Sequence, residues 1–446
     1  MSGDNIEKAL EELSSQLSGD QILREEVDRY AYSYDSSGVE YVPDAIIRPR
    51  KLEEVSIVLE IAEKYSVPVT PRGSGTSLVG GPLAVKGGLV LDMQGMNRVL
   101  EKDDSTGIIR VEAGIKLRDV NRLINGMFLP INPDGIGFST IGGMIAEDAA
   151  SPLSVRYGTM RDHVRGLEVV IPGGQMISLE QPGPPSKRNA MDLIIGSEGT
   201  LGVITSALIE LSYRPEASIS YSMELNDVSD SLAIYDAIRR AGIDIYGFEV
   251  YHNYKELIEE KEFVGVEAIG FLEIAGASEC VEKWRGKVES ILSETALEHS
   301  EVEAEEVEGI WVRREKIYEL CRRKKVSMRV VSMLSYQHLV RDIVQEVDRT
   351  SSRMKIPSIT VIDPPLGWVT AIFLYNSRDP KEVERTERAA SNLIENATSL
   401  GASLGFGTGV GIYKLDENYD EGYLSIMKAI KGVLDPHGIM NPEKLI

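Results

Sequence analysis

Apolar positions along the chain alternate between two periods, and the switch between them divides it. Leu10, Leu13 and Leu17 recur at helical spacing, so a helix is predicted over Glu7 to Leu17. Asp44 to Arg48 reads as a strand stopped by Pro49, and Leu52 to Tyr65 as an amphipathic helix with Val55, Val58, Leu59, Ala62 and Tyr65 on one face. Short apolar runs at Val67–Thr70 and Gly88–Asp92 predict buried strands around a glycine-rich loop, Pro71 to Pro82. A strand at Ile108–Ala113, a helix carrying Leu117, Val120, Leu123 and Ile124, and strands at Leu167–Ile171 and Val203–Leu211 continue the pattern.

Beyond Pro215 the elements lengthen. Strands are predicted at Ser218–Leu225, Ile243–Tyr251, Ala268–Ala275, Val326–Met333, Ile356–Ile362 and Trp368–Tyr375. Helices are predicted at Val228–Ala241 (capped by Asn226 or Asp227), Glu279–Leu292, Val307–Arg323, Tyr336–Met354, Lys381–Leu400 and Glu421–Leu434. Long crossovers suit an α+β sheet layered by helices on one side. Four parts are therefore expected: residues 1–33, an N-terminal helical segment; 34–215, a first domain that opens with a small α/β lobe; 216–415, a second domain; and 416–446, a helix and tail.

Composition narrows the function. The 446 residues carry a net charge of −22, which argues against a nucleic-acid or anionic-membrane surface. No apolar run reaches the ~18 residues of a membrane helix, and the first residues lack a signal-peptide core. Cys280 and Cys321 allow neither a disulfide framework nor a four-thiolate iron–sulfur cluster, and the five histidines are scattered. The simple reading is a reduced, cytoplasmic protein; a homo-oligomer is left open.

Chemistry concentrates in three glycine–hydroxyl loops. The first holds Pro71, Arg72, Gly73, Ser74, Gly75, Thr76, Ser77, Gly80, Gly81 and Pro82. The second, Gly135 to Ala150, holds Thr140, Gly142, Gly143, Glu147 and Asp148. The third, Gly196 to Thr205, holds Glu198, Gly199, Gly202, Val203 and Ile204. Glycines let a backbone come close to a ligand, and successive amides can form a concave nest for phosphate oxygens. Neither G-x-G-x-x-G nor a Walker loop is present.

In this order and spacing the loops resemble the FAD-binding, PCMH-type domain of the vanillyl-alcohol oxidase superfamily. Within it the chain is similar to the branch of the D-lactate dehydrogenases, the D-2-hydroxyglutarate dehydrogenases and the D subunit of glycolate oxidase, from about Tyr34 onward. The resemblance implies a two-lobed FAD domain, a cap over the flavin and a tail that returns to the FAD domain. It implies that residues 73–77 cradle the pyrophosphate, with Thr140, Gly142 and Gly143 opposite and Ile204 at one end of the cofactor. Asp134, Tyr157, Gly158 and Asn441 join the expected FAD set. Neither His nor Cys occurs in the first two loops, so non-covalent FAD is expected. Glu147 and Asp148 depart from the neutral residues usual there.

The resemblance breaks at the catalytic motifs. The branch carries His-Ala-Gly-Asp-Gly-Asn-Leu-His and Gly-Glu-His-Gly-Ile-Gly, which supply metal ligands and a base. These map onto Asp363 to Thr370 and Phe406 to Gly411, so the ligand positions hold Asp363, Thr370 and Gly407, and the base position holds Thr408. One carboxylate and one hydroxyl make a poor transition-metal site, so no metal is expected. Val331 to Ser335 also lacks an arginine that the branch tends to place there. A threonine cannot replace a near-neutral base, so Tyr413, Tyr375 or Lys414 is the candidate for proton transfer, with Tyr413, Thr408 and Lys414 as the expected catalytic set. Three readings stay open: a dehydrogenase with an altered substrate that passes electrons to a separate protein, such as an iron–sulfur subunit; an electron-transfer or assembly subunit; and a redox-neutral enzyme like the alkylglycerone-phosphate synthases.

Overall fold

The computed structural model describes residues 3–133, 137–180, 190–253, 266–302, 313–413 and 421–445. Asp134 and Lys414 lie outside the described residues. The first lobe is a four-stranded sheet in which Ala45–Ile47, Leu89–Asp92 and Val69–Arg72 run parallel and Ile22–Leu23 closes one edge. Its parallel strands need a crossover, and the helix Leu52–Lys64 provides it. Glu53 and Glu54 begin that helix and Lys64 ends it, matching the helix dipole. It stops before Pro68 through Ser66, whose φ of 51° leaves the helical region. The N-terminal helix, Gly3–Gln16, buries Leu10 and Leu13 in the same core.

The second lobe is an antiparallel sheet of Val99–Asp103, Ile108–Glu112, Val203–Glu210, Val164–Val170 and Met176–Glu180. Its two edge strands were not predicted. Val99–Asp103 is exposed at every position and Met176–Glu180 alternates only between exposed and half-buried, so neither shows a full hydrophobic stripe. The helix predicted around Leu117–Ile124 is shorter, Leu117–Val120. Asn121 turns the chain by accepting from the Leu129 amide, and Gly126 follows at φ +77°.

The third unit is an eight-stranded antiparallel sheet, ordered Glu298–Val302, Ala217–Leu225, Ala268–Gly276, Ile245–His252, Ser358–Asp363, Trp368–Tyr375, Ser327–Leu334 and Ser403–Leu404. Four helices, Val228–Arg240, Ser278–Thr295, Val340–Met354 and Pro380–Ser399, bury Ile234, Val288, Val347 and Leu393 against it in one core. Each such apolar side chain contributes roughly 1.5–3 kcal/mol relative to exposure. Asp227 caps the first of these helices through the Ser229 amide. Helices do not keep to one side, however. Ile317 and Cys321, from the helix Arg313–Lys324, join Leu78, Met328, Val330, Val361 and Ile372 in a separate core. Leu78 belongs to the first glycine loop, so this core joins the eight-stranded sheet to the first lobe. The α+β architecture thus places one sheet as a roof over the loops of the other two.

Candidate active site

The three glycine loops meet at one cleft. Pro71 to Ser77, Gly81 and Pro82 form one wall. Thr140, Gly142, Gly143 and Glu147 line another, and Glu198, Gly199, Val203 and Ile204 a third. The cap contributes Trp368, Gly407 and Thr408.

Close packing explains the glycines of the first loop. A Cβ on Gly73 would collide with the Thr140 hydroxyl, and one on Gly75 (φ +72°) with the Arg72 guanidinium. Arg72 lies under this loop, 7% exposed, with Nη2 donating to the Tyr34 carbonyl at 2.8 Å and its guanidinium over the Tyr32 ring. Its Nη1 is buried without a partner among the described residues. A buried, unpaired guanidinium N–H is costly, and burial alone lowers the Arg72 pKa. An anionic ligand oxygen would satisfy it, as FAD pyrophosphate supplies. The glycine cradle and this donor fit FAD.

Other expected cofactor residues hold the walls without lining the cleft. Gly80 (φ +80°) packs against Ile412. Asp148 accepts from the Thr159 hydroxyl and from Arg161, and Gly158 packs on Asp162. Tyr157 sits edge-on between Phe128 and Tyr246. Gly202 passes so close to its neighbouring strand that a Cβ would lie 2.9 Å from the Val170 carbonyl. Asn441 donates to the carbonyls of Gly81 (3.1 Å) and Glu198 (2.7 Å), tying the tail to two loops. Lys444, which the sequence reading missed, is 1% exposed and donates to the carbonyls of Gly80 (2.6 Å), Gly81 (3.3 Å) and Leu83 (2.7 Å). Burial pushes its pKa down to about 8, against the favourable charges of Glu198 and Asp35.

Two carboxylates border the cleft. Glu198 takes a left-handed backbone (φ 53°) that few non-glycine residues adopt. Its amide donates to Ala146, and its side chain accepts the amides of Val410 (2.6 Å) and Gly411 (2.8 Å). Burial raises its pKa, while those amides and Lys444 oppose the rise. A Cβ placed on Gly81 would lie 3.7 Å from Glu147 Oε1 and 3.9 Å from Glu198 Oε2, so both acids flank one small space. Burial, then the charge of Glu198, pushes Glu147 up to about 8, with the Ser77 hydroxyl opposing.

The residues at the branch's metal positions do not converge. Asp363 accepts the Leu366 amide at 2.9 Å within its turn, and Thr370 faces a small apolar void with Leu78, Ile317 and Val330. Neither lines the cleft. Gly407 (φ +72°) does, where a Cβ would lie 2.8 Å from Ala150 Cβ and 3.1 Å from the Trp368 ring. Trp368 is 1% exposed, donates its indole N–H to Ser332 Oγ at 2.7 Å and packs edge-on against Phe406. Among the described residues no group of three His, Cys, Asp or Glu side chains could hold a metal. Thr408 lines the cleft, but Tyr413 does not: its hydroxyl is buried, and its ring lies beside Arg329. The importance of Trp368 was hidden because its place in the motif marks it only as a substitution, with no sign of what its ring covers.

Residues 43–180 match the FAD binding domain family, and residues 214–445 match the FAD linked oxidases, C-terminal domain. The glycolate oxidase subunit GlcD of Bacillus subtilis (strain 168) is 30% identical, with 99% of this chain and 97% of that protein covered. The mitochondrial D-lactate dehydrogenase [cytochrome] of Arabidopsis thaliana is also 30% identical, with coverage of 91% and 74%. The fold matches the solved 4-ethylphenol oxidase of Gulosibacter chungangensis at a TM-score of 0.81 and 16% identity, covering 100% of this chain and 97% of that one. An alkyldihydroxyacetonephosphate synthase matches at 0.76 and 22% identity, covering 98% and 86%. No helix among the described residues is long and apolar enough to cross a membrane. A cleft built for FAD, under a cap of this form and with these relatives, makes the chain a member of the FAD-linked oxidases, an FAD-linked oxidoreductase of the glycolate oxidase subunit and D-lactate dehydrogenase type.

Proposed function

We propose that the protein is a dehydrogenase whose substrate differs from those of its D-2-hydroxy-acid relatives, and that its electrons leave to a separate protein. The observation that carries this reading is Trp368, buried between Ser332, Phe406 and Gly407 on the cap side of the cleft. Its ring lines the cap side of the cleft, where a Cβ on Gly407 would lie 3.1 Å from it. Bound FAD supplies the hydride-accepting ring. The chain's own contribution is to hold the phosphates on the amides of residues 73–77 and on Arg72, and to present Thr408 and the Trp368 ring to whatever enters.

FAD is held non-covalently in this reading, since no His or Cys is among the described residues lining the cleft. The working division is residues 34–215 for FAD, 216–415 for the cap and 416–446 for the returning tail. Cys280 and Cys321 cannot hold a four-thiolate cluster, so a one-electron relay has to come from a partner such as an iron–sulfur subunit. The same tight burial of Trp368 favours a second reading, an electron-transfer or assembly subunit with a closed substrate pocket. The redox-neutral reading has only fold similarity behind it.

Anaerobic titration of the yellow protein with a panel of 2-hydroxy acids and alcohols, followed by flavin absorbance, tests the proposal. Bleaching by a compound other than D-lactate or D-2-hydroxyglutarate, with slow turnover on oxygen, is the expected result. Reduction only by a protein donor selects the second reading. Rapid bleaching by D-lactate that a chelator abolishes overturns both.

A further inference from the structure

Three ionisable side chains line the cleft among its described residues: Arg72, Glu147 and Glu198. Arg72 stays charged throughout the accessible pH range. Glu198 spends its oxygens as acceptors for the amides of Val410 and Gly411, a bonding pattern that suits the anion. Glu147 has no backbone amide donating to it among the described residues, the Ser77 hydroxyl is the one group that favours its ionised form, and it borders the same space as Glu198. Two carboxylates flanking one narrow space at the cleft wall cannot both be charged at low cost, and the proton settles on the one with fewer donors.

We propose that Glu147 is the proton-exchanging group of the FAD cleft, and that holding FAD requires Glu147 to hold a proton. The inference rests on the FAD cleft and is independent of the substrate. FAD brings a pyrophosphate with two negative charges into the cleft, so an ionised Glu147 would add a third negative group beside Glu198. Ionisation of Glu147 therefore opposes FAD, and bound FAD opposes ionisation. Glu198, Ser77 and Asp35 act on Glu147 directly, Arg72 and Thr408 share the cleft with it, and Lys444 acts on Glu198 and Asp35 from the tail. Asp35, itself raised by burial, adds to the negative side, and Lys444 offsets part of it. When Glu147 ionises, its proton passes to solvent through the open cleft. No oxidant or further reactant is involved.

The test is equilibrium dialysis of the purified FAD-loaded protein between about pH 6 and 9, with flavin measured on both sides. The wild type is expected to hold FAD with constant affinity at the acid end. As pH rises through about 8, the dissociation constant should climb by up to about tenfold per pH unit. Glu147→Gln, which keeps the shape of the neutral acid, should show a flat profile, and Glu147→Asp should restore the slope. An equal slope in Glu147→Gln would assign the effect to Lys444, which titrates in the same range, and would overturn the proposal. So would a flat wild-type profile. Should Glu147→Gln fail to fold, calorimetry of FAD binding in buffers of different ionisation heat separates the two groups: proton uptake near pH 8.5 that persists in Lys444→Arg, which stays charged, supports the coupling, and its loss there or its absence in the wild type overturns it. A protein that holds no FAD at any pH would remove the FAD assignment itself, whereas a flat profile with FAD bound removes only this inference.

Discussion

Gly407 and Trp368 are packed so closely that a Cβ on the glycine would lie 3.1 Å from the indole ring. The relationship bears directly on whether a metal site can be rebuilt. Restoring Asp363→His, Thr370→His, Gly407→Glu and Thr408→His together is expected to give no tight zinc site, because a side chain at Gly407 meets the Trp368 ring while Asp363 is held in its turn and Thr370 faces an apolar void outside the cleft. Zinc titration of this variant checks the expectation, and tight binding would show that the four positions do converge.

Trp368 should also support the fold. Its removal as Trp368→Ala is expected to cost about 3–5 kcal/mol, the usual range for emptying a buried aromatic site. Trp368→Phe should cost less, on the order of 1 kcal/mol for the lost hydrogen bond to Ser332 plus some packing. Urea melts of the two variants give the comparison. Equal, small losses would mean that the indole is not under close packing.

Gly75→Val should weaken FAD retention while leaving the lobes folded. The new side chain would meet Arg72 at a positive-φ position, displacing the guanidinium buried beneath the loop. Gel filtration followed by the flavin-to-protein absorbance ratio reads the loss, and a ratio equal to wild type would refute the role given to this loop. Acid precipitation of wild-type protein should release the flavin into solution, as non-covalent binding requires.

Glu147 makes a pH prediction for the flavin-free protein. Its folded pKa, about 8, lies above the ordinary carboxylate value of 4.5. Between those values the folded state binds more protons than the unfolded one, so the contribution of Glu147 to stability is present below about pH 4.5 and is lost as pH rises through 8. Glu147→Gln should thus stabilise the flavin-free protein at pH 8 and have little effect near pH 4.5. The gain should be on the order of 2 kcal/mol, less than the full shift implies because the cleft admits solvent. Thermal melts at the two pH values test the sign.

Much of the architecture was legible because local chemistry and tertiary packing agreed. Trp368–Tyr375 was predicted with the bounds it has, and Leu52–Tyr65 was placed to within a residue. The edge strand Glu298–Val302 was invisible, since Glu-His-Ser-Glu-Val pairs through its backbone and buries no continuous face. In the cleft, glycines and hydroxyls were readable as a set because close backbone approach demands those residue types. Tyr413 and Tyr157 were not, since a tyrosine near a ligand and one packed in a core leave the same trace in a sequence. Lys444 was missed for the opposite reason: a lysine near the end of a chain reads as solvated, and only the fold brings three carbonyls around it.

The bonds from Lys444 to Gly80 and from Asn441 to Glu198 also order events in time. Lys444 follows Gly80 by 364 residues, and Asn441 follows Glu198 by 243. During synthesis on a ribosome, both cleft loops emerge long before the residues that fasten them. The two lobes can collapse around their own cores as they appear. The cleft, however, gains its last supports only after residues 439–445 have been made and the cap lies folded above it. A nascent chain stalled before Asn441 lacks both fastenings, so it is expected to emerge colourless.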